Sequence, residues 1–222
     1  MLNQFEDFKE LLKAKDKEIV ELRSVIGQLK KSVNRLTDEL DEENAYVRRD
    51  TLLITGKPVP YGTNEENTSD TVIKVLKDNL NVEITPGDIN CSHRLGKQNR
   101  EGGPDKRPII VKLVRRSLKR ELTMKSRTVQ KNIAAKERLY INESLTPKRR
   151  AILQSIVKMK KMEGTSVTGC TSLDGSVCAF TKNPMTGGRD RKHIVNTHEQ
   201  LMKFCEEFVN KPLELFLENW KF

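Results

Sequence analysis

Arg48-Arg49-Asp50-Thr51-Leu52-Leu53-Ile54-Thr55-Gly56 opens the region on which the fold turns. Thr51 to Ile54 is too short an apolar run for an ordinary helix, and Gly56, Pro58 and Pro60 stop it, so it reads as a short buried strand. A polar loop over residues 61–68 follows. Thr68 and Asp70 then supply caps for a helix to Leu80 whose inward face is Val72, Val75, Leu76 and Leu80. Pro86-Gly87-Asp88 turns the chain into a second strand over 89–95, which carries His93 and Arg94. A loop rich in Gly, Lys and Arg, residues 96–106, leads to a third strand over 107–114. Residues 117–127 form a strongly basic helix with Leu118 and Leu122 inward, and Leu139-Tyr140-Ile141 makes the last strand.

The resulting order is β-α-β-β-α-β, the split βαβ arrangement shared by ferredoxin-like and RNA-recognition-motif domains. That arrangement hosts many functions, so the order alone does not name one. Recognition-motif domains stack bases on aromatic side chains of the first and third strands. Neither strand has one here, so backbone electrostatics must carry most of any RNA binding by this region.

On the N-terminal side, every seventh residue from Phe5 is apolar: Phe5, Leu12, Ile19, Ile26, Val33, Leu40 and Val47. Three positions on run Phe8, Lys15, Leu22, Leu29, Leu36 and Glu43. Together they form the a/d seam of a coiled coil, strongest through Ile19, Leu22, Ile26, Leu29, Val33, Leu36 and Leu40. β-branched residues at a with Leu at d favour a parallel dimer by the simple rule, but Leu12, Leu40 and the two Phe residues blur it. The seam by itself leaves the oligomer number open.

Past residue 143, Leu145-Thr146-Pro147 caps and starts a basic helix to about Met162, with Ile152, Leu153, Ile156 and Val157 on its apolar face. Short strands are expected near Val167, over 177–181 and over 193–195, with Asp174-Gly175 as a hairpin turn. Thr197-His198-Glu199 opens a last helix to Val209, with Leu201, Phe204, Cys205 and Phe208 inward. The expected architecture is α+β: a parallel coiled coil over 1–47, a recognition-motif-like domain over 48–143 and a small α+β C-terminal domain over 144–222.

Across 222 residues the chain is 36% hydrophobic, 32% charged and only 5% aromatic, with a formal charge of +10. Residues 1–47 hold 8 basic and 11 acidic side chains, so of 41 and 31 in all, 33 and 20 remain for residues 48–222. The net of +10 therefore divides into −3 and +13. A strongly basic region poor in aromatics points to a polyanion. No stretch approaches the ~18 apolar residues of a membrane span, and the acidic start MLNQFEDFKE does not resemble a secretory signal. Cys91, Cys170, Cys178 and Cys205 form no C-x-x-C pair and no zinc spacing with the histidines, so reduced thiols are expected and no metal or cofactor. A phosphate loop, H-E-x-x-H, G-x-S-x-G and an acidic metal cluster are all missing, so no catalytic residue is assigned and an enzyme is not expected.

Several strings in this order resemble the first-open-reading-frame proteins of LINE-type retrotransposons, a family related to the C-terminal domain of baculovirus few-polyhedra proteins. They are Tyr46-Val47-Arg48-Arg49-Asp50-Thr51-Leu52-Leu53-Ile54-Thr55-Gly56 directly after the coiled coil, Ser92-His93-Arg94-Leu95-Gly96, and Arg107-Pro108-Ile109-Ile110-Val111-Lys112-Leu113. Leu139-Tyr140-Ile141-Asn142-Glu143-Ser144-Leu145-Thr146-Pro147-Lys148-Arg149-Arg150 and the later Phe180-Thr181-Lys182 complete the set. The resemblance implies a homo-oligomer, with a trimer favoured over a dimer. It also implies a nucleic-acid chaperone that binds single-stranded RNA, and by extension DNA, with little sequence preference. A C-terminal domain that closes on RNA against the recognition-motif domain is part of the same expectation.

The candidate nucleic-acid contacts are basic and come from both C-terminal regions. They are Arg48 and Arg49 at the junction, Arg94 and Lys97 ending the second strand, and Arg107 and Lys112 on the third. Arg115, Arg116, Lys119, Arg120, Lys125 and Arg127 belong to the basic helix, Lys148, Arg149 and Arg150 start the next one, and Tyr140 is a candidate for base stacking. The resemblance places an RNA-contacting Arg pair at Arg149-Arg150. The function expected is packaging of retrotransposon RNA into a cytoplasmic ribonucleoprotein that extends to the nucleus, with an element-encoded reverse transcriptase as a protein partner to seek and no membrane association. The rival reading is a coiled-coil adaptor, or a few-polyhedra-like viral structural protein, whose basic domains face a protein or membrane.

Overall fold

The computed structural model describes residues 2–56, 67–97, 107–129, 133–134, 138–182, 190–209 and 216, with side chains from residue 9 onward. The polar loop after the first strand, Gly102-Gly103, Gly187-Gly188, and the side chains of Phe5 and Phe8 lie outside the described residues. The chain is a mixed α+β protein with a long N-terminal helix and two antiparallel sheets. It divides into a unit of Met1–Glu43 and a second of Asn44–Phe222.

Helix α1, Leu2–Val47, is unbroken over 46 residues, as a sequence without Pro and with one Gly allows. Its polar faces carry i,i+3 and i,i+4 ion pairs, Lys15 to Glu18 at 2.7 Å and Arg35 to Glu39 at 2.9 Å. The stripe Ile19, Leu22, Ile26, Leu29, Val33, Leu36 and Leu40 stands in solvent, each side chain 45–63% exposed. An isolated helix gains nothing from such a stripe, because helical stability in water comes mainly from burying it.

The second unit begins with β1, Thr51–Gly56, α2, Thr68–Leu80, and β2, Ile89–Arg94, and continues with β3, Ile109–Leu113, α3, Arg116–Val129, and β4, Leu139–Glu143. The sheet order is β2-β3-β1-β4, so β3 separates the two strands of the first β-α-β unit. Strand alternation sends Leu52, Ile54, Ile109, Val111, Leu113, Leu139 and Ile141 into a core with Val72, Val75, Leu76 and Leu80 of α2 and Leu118 and Leu122 of α3. Local chemistry moves some boundaries from their expected places. Asn67 caps α2, its side chain accepting from the Ser69 N–H at 3.1 Å, so Thr68 is already inside the helix. β3 starts at Ile109 instead of Arg107, because Pro108 has no N–H to give a ladder; its carbonyl accepts from Leu95 at 2.8 Å. At Gly56, with φ +107°, a Cβ would lie 2.2 Å from the Arg138 carbonyl, so only glycine fits beside β4.

A second core follows in the same unit. Helix α4, Pro147–Lys160, is capped by Thr146, whose hydroxyl accepts from the Arg149 N–H at 3.2 Å, with Pro at its first position. Strands β5, Val167–Leu173, β6, Ser176–Thr181, and β7, Arg191–Ile194, form a three-stranded antiparallel sheet. The β5–β6 turn has positive φ at both central residues, 52° at Asp174 and 83° at Gly175, as a two-residue hairpin with right-handed strand twist requires. Helix α5, His198–Phe208, opens with a reciprocal capping box between Thr197 and Gln200. Ile152, Ile156, Met159, Val177, Ala179, Leu201, Phe204 and Cys205 fill this core. His193 packs at its edge, 4.6 Å from the Phe208 ring and 5.5 Å from Phe204, with Nε2 2.9 Å from the Thr181 hydroxyl. β5 is longer than expected, and β7 starts at Arg191 and ends one residue early, at Ile194.

Candidate nucleic-acid interface

Where the first core meets the second, charge is buried. Glu143, the last residue of β4, and Lys119 of α3 form an ion pair of 2.7 Å with side chains only 5% and 2% exposed. The Glu143 carboxylate also accepts the backbone N–H groups of Asp174 at 2.9 Å and Gly175 at 3.1 Å, while Lys119 donates to the Arg49 carbonyl. Arg149, 2% exposed, donates from Nη1 to the Gly175 carbonyl at 3.0 Å. These bonds satisfy groups that would otherwise cost several kcal/mol each to bury. They also tie the β5–β6 turn to β4, α3 and α4.

Two expected contacts are corrected by this geometry. Lys119 belongs to the interior of the network, not to an exposed basic face. Arg149 braces the hairpin turn, so of the expected Arg pair only Arg150 is exposed. Burial removes both from the surface a phosphate could reach.

Other basic side chains have structural partners yet stay near water. Arg115 grips Asp88 through Nη2 at 2.6 Å and Nε at 3.1 Å. The Thr85 N–H bond and then Arg115 lower the Asp88 carboxyl to about 2. Lys125 donates to the Asn81 carbonyl at 3.0 Å, covering the left-handed cap of α2. Arg94 donates to the Arg107 carbonyl and Arg107 to the Gly96 carbonyl, both at 3.4 Å, holding the ends of β2 and β3 together beside exposed Lys97. Arg48 is exposed and reaches the Ser144 hydroxyl at 3.4 Å; Arg49 is half-buried with its guanidinium 3.9 Å over the Tyr46 ring.

Of the remaining candidates, the structure places Arg116, Arg120, Arg127 and Tyr140 in two open grooves flanking α3. The larger, about 590 Å³, is lined by Arg116, Ser117, Arg120, Glu121, Met124 and Asp174. Arg116 and Arg120, four residues apart, share this helical face, and Arg116 Nη2 lies 3.5 Å from the Asp174 carboxylate. The second groove, about 380 Å³, places Arg127, Arg138 and Tyr140 together along β4. Arg127 also donates to the Ser172 carbonyl at 3.3 Å, and Tyr140 is 41% exposed. Sequence reasoning passed over Arg138, Asp174 and Glu143. Only Arg138 carried a readable signal, a basic residue directly before Leu139-Tyr140-Ile141.

The outer face of the first sheet is nearly uncharged. Cross-strand register aligns His93, Ile110, Leu53 and Asn142 in one row and Cys91, Lys112 and Thr51 in the next, with Tyr140 opposite Thr55. Lys112 is the single Lys or Arg among these residues, and half-buried Lys148 and exposed Arg150 on α4 line neither groove. Arg115, Arg116, Arg120 and Arg127 keep exposed positive groups on or beside α3, and Lys160, Lys161, Arg191 and Lys192 expose others on the second core. Among the described residues no helix is long and apolar enough to cross a membrane, and no cluster of His, Cys, Asp and Glu could hold a metal ion. No family model matches the chain, and no curated protein matches it either.

Proposed function

We propose that this chain is an oligomeric single-stranded RNA-binding protein and nucleic-acid chaperone of the retrotransposon type, packaging RNA through phosphate contacts of low sequence specificity. The observation that carries the reading is the groove beside α3, where Arg116 and Arg120 face solvent within a region of net charge +13. A guanidinium binds phosphate in a bidentate, base-independent way. The β2-β3-β1-β4 strand order supports a recognition-motif-like domain, and the near-neutral outer sheet face supports binding led by the backbone over base stacking.

The bare stripe on α1 supports self-association as a parallel coiled coil, a trimer by resemblance. Linked copies make each later contact intramolecular and raise avidity by ~10²–10⁴. Many exchangeable phosphate contacts suit a chaperone that lets strands rearrange. Fluorescence anisotropy of the full chain with a labelled single-stranded RNA tests the reading. Arg120→Ala should lower affinity and make the slope of log affinity against log salt shallower by about 0.7. Binding that ignores salt, or an unchanged slope in the variant, removes the groove from the account and favours an adaptor with a protein partner.

A further inference from the structure

We propose that Asp174 is a tethered counter-ion of the α3 groove, occupying Arg116 until an RNA phosphate displaces it. The inference rests on the RNA-binding reading and adds to it a device that weakens binding on purpose. Asp174 sits at the β5–β6 turn in the left-handed region, φ 52°. Its position is set from the interior, because buried Glu143 holds the N–H groups of Asp174 and Gly175 and buried Arg149 holds the Gly175 carbonyl. None of those bonds uses the Asp174 carboxylate. That group instead meets Arg116 at 3.5 Å, with side chains 39% and 51% exposed.

The charges lining the groove cancel: Arg116 and Arg120 against Glu121 and Asp174. A phosphodiester carries the same single negative charge as the Asp174 carboxylate, so the two compete for one guanidinium. An arginine neutralised by free ions releases them when phosphate binds, and this release drives association and its salt dependence. An arginine neutralised by a fixed carboxylate releases no ion to bulk solvent. Arg116 therefore adds less to affinity and to the salt slope than Arg120, which takes no part in the ion pair with Asp174, and each phosphate at Arg116 stays easy to exchange.

The test uses the full chain and a labelled single-stranded RNA oligonucleotide, with anisotropy titrations over a salt series. Asp174→Asn and Asp174→Gly both suit a left-handed backbone and both remove the charge. Each is expected to bind about threefold or more tightly at low salt, with the slope steeper by about 0.7 per protomer. Adding Arg116→Ala to Asp174→Asn should cancel both gains. Equal affinity and slope in wild type and both Asp174 variants, with wild type binding RNA, overturn the counter-ion role and leave the RNA reading intact. Wild type that does not bind RNA overturns both.

Discussion

Glu143, the one charged residue of the strand Leu139–Glu143, accepts from an ammonium and two backbone amides at once. Removing its charge leaves Lys119 buried without a counter-ion, a change that typically costs about 3–5 kcal/mol. Glu143→Gln should therefore lower unfolding free energy by about that amount in urea titrations; a loss below about 1 kcal/mol would mean that water reaches the pair. His193 gives a pH signature of the opposite core. Burial, with Arg191 nearby, lowers its pKa from 6.5, so the unfolded chain takes up a proton that the folded chain resists. Stability contributed by neutral His193 is thus full above pH 6.5 and falls as pH drops below it, and His193→Gln should flatten the melting temperature between pH 7 and 5. A wild-type melting temperature that rises on acidification would contradict the placement against Phe204 and Phe208. The sequence hid the roles of Lys119 and Arg149 for a shared reason. Each lies in a run of basic residues that reads as a solvated face, and the partners that bury it, Glu143 and the Gly175 carbonyl, are set by packing between elements far apart in the chain.

The elements themselves were far more legible, because helix and strand periods are written in consecutive residues. The helical period placed Val72, Val75, Leu76, Leu80, Leu118 and Leu122 inward, and the Asp-Gly turn and the Thr146 cap follow from local backbone chemistry that no distant contact overrides. The errors are equally local: a cap one residue early at Asn67, and a strand start delayed by Pro108. On the proposed reading, helix α1 gains its stability by burying its exposed stripe against partner helices. Leu29→Asp combined with Val33→Asp places two carboxylates in the stripe, so self-association should fail and the helix should fray, while the region from residue 44 on, which has its own cores, remains folded. Light scattering should then give the monomer mass and circular dichroism should lose helix signal. An unchanged oligomer would place the contact surface elsewhere.

Charge and shape together divide the chain into a net −3 helical part and a net +13 remainder built around two cores. The division was legible by counting, whereas the geometry of the grooves was not, since α3, β4 and the β5–β6 turn line them from residues as far apart in the chain as Arg116 and Asp174. On the proposed reading, self-association through the acidic helix would give avidity while each phosphate contact stays labile. Analytical ultracentrifugation of the full chain, with and without a single-stranded RNA oligonucleotide at low and high salt, tests this most directly. The expected result is an oligomer without RNA, a heavier complex at low salt, and release of RNA with the oligomer intact at high salt. A monomer of 25.5 kDa, or RNA retention independent of salt, would contradict it.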